Sequence, residues 1–412
     1  MTTGAASLAD APWLRAGALP RLLETLDRDG EEARVIGGAV RNALLGEPIG
    51  DIDIATTARP DEVIRRARTQ GFKAVPTGIE HGTVTVVAEG RPFEVTTLRQ
   101  DVETFGRHAT VAFGRDWAAD AERRDFTINA LSMTRDGAVH DPVGGLADIA
   151  ARRVRFIGEP AQRIAEDYLR ILRFFRFHAA YGRGPLDAQG LAACIAGRAG
   201  LERLSRERVR AELLKLIVAP GALAALAAMT DAGLLTRLVG GVVYLVQLER
   251  LIAIEQALAL PPDATRRLGV LAVMIVEDAE RLRERLRLTN AEADRLSVIA
   301  RGWWREAPPA ETRAREILYR AGAGHFADRA LVGWARSGAA PDDAAWRVFA
   351  TLPQRWTVPV FPLRGADFLA RGLARGPLLG AALAAAERAW IVAGFPMDEN
   401  TVARIADQAA RG

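Results

Sequence analysis

The chain has 412 residues, 49% of them hydrophobic and 26% charged, with a formal net charge of +4 and a single cysteine, Cys194. That much apolar material supports two or more cored domains, while one thiol excludes an internal disulfide and a cysteine-based zinc site. No apolar run reaches the roughly 18 residues a membrane-spanning helix needs, the N-terminus lacks a charged leader followed by a continuous apolar segment, and the expected location is the cytoplasm.

Only Lys73 and Lys215 among the 55 basic residues are lysines. An arginine-rich coding preference explains much of this bias, but arginine also suits phosphates through its planar two-bond fork. The five histidines are scattered along the chain, so a catalytic metal would have to sit on carboxylates.

Up to about Phe156, the segments 33–36, 52–55, 83–88, 93–98 and 138–143 read as strands among helical runs. The first strand leads through Gly37 and Gly38 into a helix, which lets backbone N–H groups approach a phosphate while Arg41 adds charge. Alone, this Gly-Gly is equally a tight turn. It matches neither G-x-x-x-x-G-K-[ST] nor G-x-G-x-x-G, which argues against a P-loop ATPase or a Rossmann dehydrogenase.

At the second strand, Asp51 and Asp53 stand at i and i+2 and project from one face, while Ile52 and Ile54 point to the core. Adjacent like charges are costly unless a cation bridges them. Mg²⁺ binds through one or two carboxylates plus substrate phosphates, and paired metals clamp both oxygens of an in-line displacement. The alternative is a solvent-facing acidic strand end. Glu94, on the strand at 93–98, is either a third acidic group near the metals or a solvated strand residue. The stretch 100–122, containing Gly106, Arg107, His108 and Trp117, is long and breaker-rich and reads as a flexible functional loop.

Beyond residue 161 the pattern is helical, with proline-containing breaks at 219–221, 261–263 and 307–309, and a further break from 352 to 362 before a last helical pair ending by Arg411. The helix expected over 164–177 carries Asp167, Arg170 and Arg173 three residues apart. One reading is an ion-paired surface helix. The other is chemical: cytosine and adenine present an amino donor beside a ring-nitrogen acceptor, whereas guanine and uracil present the opposite order. An acceptor-only Asp167 beside a donor-only Arg170 therefore suits C and A, with about 1–3 kcal/mol of discrimination per mismatched group. Trp303, Trp304 and Trp334 read as core packing.

Five motifs stand in order: Gly37-Gly38-x-x-Arg41; Asp51-x-Asp53; Glu94-Val-Thr-Thr; the run from Arg123-Arg124-Asp125 to Leu131; and Asp141-Pro-Val-Gly-Gly-x-x-Asp148. Together they resemble the motifs of the class II tRNA nucleotidyltransferase and poly(A) polymerase family within the polymerase-β-like superfamily. The resemblance spans nearly the whole chain and is most specific before Glu212. It implies an α+β fold: a polymerase-β-like head with a mixed sheet (1–156), a helical, base-selecting neck (157–220), and a helical body and tail (221–412) that bind tRNA.

The resemblance further implies that Asp51 and Asp53 are catalytic and hold Mg²⁺, that Gly37, Gly38 and Arg41 hold the triphosphate, and that Arg124 binds the nucleotide. Asp167 and Arg170 would read the base, with Arg173 and Arg176 adding contacts or positioning the pair. The segment 204–212 resembles the family's next motif, which steadies the base-reading helix. The arginines at 266, 267, 281, 283, 285 and 287 would offer a basic face to the tRNA acceptor arm and 3′ end.

The implied activity is addition of CMP and AMP from CTP and ATP to the tRNA 3′ end, releasing pyrophosphate. Alternatives are poly(A) synthesis, addition of CC or A alone, and, from a different class, a catalytically silent RNA-binding protein; a small-molecule nucleotidyltransferase would not need the long helical arm. Oligomeric state is left open. One departure is visible. The family commonly has Arg-Asp where this chain has Arg41-Asn42, which alters local hydrogen bonding and spares the carboxylate pair.

Overall fold

The computed structural model describes residues 6–105, 108–301 and 307–411, with side chains described outside 100–112. Gly106, Arg107, Trp303 and Trp304, and the side chain of His108, thus lie outside the described set. Two compact units meet in sequence at Leu238 and Val239. That is a coarser division than head, neck and body.

In the first unit, strands β1 (Ala33–Ile36), β2 (Asp53–Thr56), β3 (Lys73–Gly78), β4 (Thr83–Ala88), β5 (Arg91–Thr97), β6 (Arg99–Phe105), β7 (His108–Phe113), β8 (Ser132–Met133) and β9 (Val139–His140) form a seven-stranded sheet and a two-stranded ribbon. The sheet order is β3-β4-β5-β2-β1-β8-β9, and β6 pairs with β7. β2 and β5 run parallel and the other described neighbours antiparallel. Val35, Ile54, Val84, Val86 and Val95 are completely buried, as β-branched residues on a covered sheet face should be. Helices Leu19–Leu26 and Pro60–Thr69 pack against the sheet and against each other.

Four local expectations change. The expected strand at 138–143 shrinks to Val139–His140, because Asp141 turns inward and caps helix Gly145–Ala150, accepting from the N–H groups of Gly145 and Leu146 at 2.7 and 2.9 Å. β3 went unrecognised. Its Pro76 and Gly78 disguise it, and it is tolerated as an edge strand. The supposed loop at 100–122 is largely the β6–β7 ribbon and helix Trp117–Glu122, capped by Asp116, with Trp117 lying over Ile36, Ala55 and Leu98.

The fourth change bears on the site. The helix expected over 164–177 is two helices, Pro160–Glu166 and Leu169–Tyr181, with Asp167 extended between them at φ −153° and ψ 106°. Its carboxylate accepts from the Leu169 N–H at 3.1 Å, the local competition by which short polar side chains interrupt helices. Phe174 and Phe177 of the second helix pack on Phe126 and Phe156, with centroids 5.4 Å apart for 156–174 and 5.2 Å for 126–177. Helices Arg206–Ile217 and Ala222–Asp231 flank the same helix. An aromatic core thus welds the neck to Phe126 of the Arg123–Leu131 motif.

The second unit is helical among its described residues, with Leu245–Ala257, Ala264–Ala272, Val276–Leu286, Asn290–Ala300 and Glu311–Ser337 followed by the tail helices Gly365–Leu369, Pro377–Val392 and Glu399–Arg411. The tail packs around Phe368, Trp390, Phe395 and Ile405. Trp334 is buried, as expected, and donates to the Ala340 carbonyl at 3.0 Å.

Two arginines expected on a basic face are elsewhere. Arg267 is buried against Glu255 at 2.8 Å, and Arg266 reaches the fully buried Asp328 at 3.0 Å, which Arg295 also grips at 2.6 Å. A carboxylate with no access to water demands such partners. No helix among the described residues is long and apolar enough to cross a membrane.

Candidate active site

The site grows out of the end of β1. Gly37 takes φ 65° and ψ −120°, a region that essentially only glycine populates, and a Cβ there would stand 3.4 Å from the Arg124 guanidinium. This turn opens helix Gly38–Leu45, whose first N–H groups lack intrahelical acceptors and favour an anion. Gly37 and Gly38 line a cleft of about 530 Å³, a volume suited to a small-molecule ligand.

Arg41, Asp53, Arg124, Asp167, Arg170, Arg173 and Arg176 line the same cleft. Asp51 and Glu94, also selected from the sequence, do not; Asp51 lies exposed, two residues before the start of β2, so the two aspartates do not share a strand as expected. Parallel pairing sets Glu94 of β5 directly beside Asp53 of β2. Burial, followed by the charges of Glu94 and Asp51, pushes the Asp53 carboxyl above its ordinary range, while Arg124 opposes the shift.

Three oxygen-only donors that repel one another suit a hard divalent cation. Among the described residues, no three acidic, imidazole or thiol groups converge tightly enough to hold a metal alone. The carboxylates therefore sense each other without closing a cage, which leaves coordination positions to substrate oxygens.

The cationic wall is braced from behind. Arg124 donates to Asp120 at 3.1 Å, Arg173 to Asp125 at 2.6 Å, and Arg176 to Glu212 at 2.5 Å. Arg41 is held by Asn42, Asn129 and Tyr181. At the far end, Asp167 accepts from Arg208 at 2.7 Å, and Arg170 donates to Glu166 at 2.5 Å and to the Arg163 carbonyl at 2.7 Å.

Sequence reasoning passed over Asp120, Asp125, Asn129 and Tyr181, whereas Arg208 lay in the 204–212 motif expected to steady the base-reading helix. Asp125 and Asn129 lay within a quoted motif, four residues apart, and the Asn129 amide donates to Asp125 at 3.1 Å. Tyr181 carried no sequence signal. The motif at 141–148 is architectural: Asp148, fully buried, accepts from Thr127 at 2.6 Å and from Arg155 at 3.0 Å. The cleft can thus take an elongated anion, with carboxylates beside its phosphate end and a donor–acceptor pair at its opposite end.

A family profile described as "Poly A polymerase head domain" matches residues 33–155, and one described as "Probable RNA and SrmB- binding site of polymerase A" matches 186–242. The chain is 32% identical to the mitochondrial CCA tRNA nucleotidyltransferase 1 of Mus musculus over 400 residues, covering 93% of this chain and 88% of that one. It is 32% identical to the CCA-adding enzyme of Limosilactobacillus fermentum over 397 residues, covering 94% and 95%. Its fold is similar to that of the Bacillus stearothermophilus CCA-adding enzyme solved in complex with CTP, with a TM-score of 0.71 and 29% identity over 94% of this chain and 96% of that one.

Proposed function

The chain belongs to the family of CCA-adding tRNA nucleotidyltransferases, and from that premise we propose how its cleft carries out the family's reaction. The enzyme adds C and A residues from CTP and ATP to the tRNA 3′ end, using a divalent metal. The poly(A) alternative is not favoured, because relatives matched over nearly the full length are CCA enzymes.

In this reading the metal is Mg²⁺, held by Asp51 and Asp53 with Glu94 alongside. When bound, it neutralises triphosphate charge and lowers the pKa of the attacking 3′-hydroxyl. Gly37, Gly38 and Arg41 bind the triphosphate through helix N–H groups and a buried guanidinium. Arg124, next to Gly37 and electrostatically coupled to Asp53, spans the phosphates and the carboxylates. Asp167 and Arg170 face the base edge, and Arg173 and Arg176 hold the wall between. The attacking hydroxyl displaces pyrophosphate in line, and no covalent enzyme intermediate is needed.

We assign catalysis to residues 1–156, base choice to 157–220 and tRNA binding to 221–412. We propose a cytoplasmic location by likeness to bacterial relatives such as the CCA-adding enzyme of Limosilactobacillus fermentum. One observation carries the reading: a single cleft gathers the Gly-Gly turn, a metal-type carboxylate and the Asp167–Arg170 pair.

The test is incorporation into a tRNA transcript lacking its terminal CCA, with each nucleoside triphosphate alone and with CTP plus ATP, resolved at single-nucleotide length. Two C then one A, followed by arrest, is expected. A long ladder with ATP alone would make the enzyme a poly(A) polymerase, and no addition would return the RNA-binding scaffold to first place.

A further inference from the structure

The basic face expected on the arginines from 266 to 287 loses Arg266 and Arg267 to buried carboxylates. A different cationic cleft stands in the second unit, with a volume of about 430 Å³. Arg301, Arg313, Arg320 and Arg329 line it together with His325, and Glu316 is the one carboxylate among its described lining residues. Arg313 donates to Glu316 at 2.5 Å and Arg320 donates to it at 3.0 Å. Two guanidiniums thus share one carboxylate, and each keeps most of its five N–H donors for another acceptor. Their side chains are 62% and 49% exposed.

Exposed pairs three or four residues apart on a helix are ordinarily surface decoration, worth little. The backbone sets this place apart. Helix Glu311–Ser337 breaks at Gly322, which takes φ 76° and ψ 163°, a region open essentially to glycine alone. A Cβ on Gly322 would meet nothing within 4 Å, so glycine serves the path of the chain there and not a close approach. Before the break, Tyr319 packs on Trp390 and Phe395 of the tail; after it, Phe326 packs on Phe349. One helix therefore enters two cores, and the cleft lies at the joint, with Arg313 and Arg320 on one side of Gly322 and Arg329 on the other.

Arg313 and Arg320 stand seven residues apart, on one face of the helix and about 10 Å from each other along its axis. That spacing exceeds a single phosphate group and suits successive phosphates of a chain. Arginine rather than lysine lines the cleft, and its planar fork can take two phosphate oxygens at once.

We propose that this cleft grips backbone phosphates of the tRNA acceptor arm through Arg301, Arg313, Arg320 and Arg329. The inference rests on the reading of residues 221–412 as the tRNA-binding part. Duplex RNA is recognised through its shape and phosphates, which asks for cations along a track and not for groups that read bases.

The experiment compares the full-length parent with R313A/R320A and with R68A, which removes an exposed arginine from helix Pro60–Thr69 of the head. The measurements are the Kd of a tRNA transcript lacking its terminal CCA across a salt series, and the kcat and KM for CTP at saturating tRNA. For R313A/R320A the tRNA Kd rises on the order of tenfold at about 0.1 M salt, and the slope of log Kd against log salt becomes shallower by about two. The loss is the same for different tRNA sequences, while kcat and the KM for CTP hold. R68A leaves the slope as it is in the parent.

An R313A/R320A enzyme that binds tRNA no more weakly than R68A overturns the proposal, and tRNA binding by the parent then leaves the reading of the helical arm standing. A parent that binds no tRNA removes that reading and the proposal with it. If R313A/R320A instead relieves inhibition by inorganic pyrophosphate and keeps the parent's salt slope for tRNA, the cleft takes a free anion and the proposal falls.

Discussion

Asp167→Asn exchanges one carboxylate oxygen for an amide group at constant shape, and the surroundings of Asp167 set the size of the effect. Oδ1 accepts from the Leu169 N–H at 3.1 Å and Oδ2 from Arg208 at 2.7 Å. A carboxylate offers about four acceptor positions, so a base amino group can be accepted without breaking either bond. In D167N the amide nitrogen must turn to Arg208 or to the cleft. The first choice sets donor against donor but costs under about 1 kcal/mol, because that pair is roughly one-third exposed on both sides. At the base, losing a charge-assisted bond to the amino group of C costs about 1.5–3 kcal/mol, while a new donor facing the O4 of U recovers about 0.5–1.5 kcal/mol. The two add to roughly 2–4 kcal/mol, so the ratio of kcat/KM for CTP over UTP should fall on the order of 10²-fold. Steady-state incorporation into tRNA lacking its last three nucleotides reads that ratio, with a melting curve to confirm folding. A folded D167N whose ratio stays within about threefold of the parent would refute base reading by Asp167.

Asp51→Ala should abolish incorporation while leaving the melting temperature close to that of the parent, since Asp51 is exposed; residual activity within about tenfold would remove it from the catalytic pair. Asp53→Asn should likewise lose activity yet melt higher than the parent in metal-free buffer at neutral pH. The raised pKa of Asp53 means that its ionised form costs stability above that pKa, a cost that fades as pH falls through it. The gain of D53N over the parent must therefore shrink on acidification, and a lower melting temperature at pH 7 would contradict the cost that burial and the charges of Glu94 and Asp51 impose on the carboxylate. Arg267→Ala, which strips a buried partner from Glu255, should destabilise by about 3 kcal/mol in denaturant titrations. Its folded fraction should bind tRNA normally, and a change in the salt dependence of binding would restore Arg267 to the RNA face.

The head was legible where period-two patterns met chemistry. β1 and β4 came out at their observed bounds; in β4 every second residue is buried, so its period-two pattern states both strand and buried face. The ribbon of Arg99–Phe105 with His108–Phe113 did not, since its first half is mostly polar and each half is a strand only through pairing with the other. At the site, Asp53 and the base-edge pair were chosen for their own chemistry, and Arg124 through the resemblance. Asn129 and Tyr181 were not, because their work is to hold Arg41 from 88 and 140 positions away, and such distances leave no trace in local spacing. The arginines at 266 and 267 mark the opposite failure. A basic cluster reads as surface in one dimension and becomes core only once Glu255 and Asp328 arrive from other helices.

The helix Leu169–Tyr181 carries Arg170 near one end and, at the other, the tyrosine that grips Arg41. From residue 170 to 181 it is a rod of about 16 Å, at 1.5 Å per residue. In the proposed reading the rod works as a caliper, gauging the ligand between a base jaw beside the extended Asp167 and a phosphate jaw at Arg41. Inserting or deleting one residue along the rod would displace one jaw by about 1.5 Å and turn it by about 100°. None of its residues is exposed, and a change in its length is not tolerable.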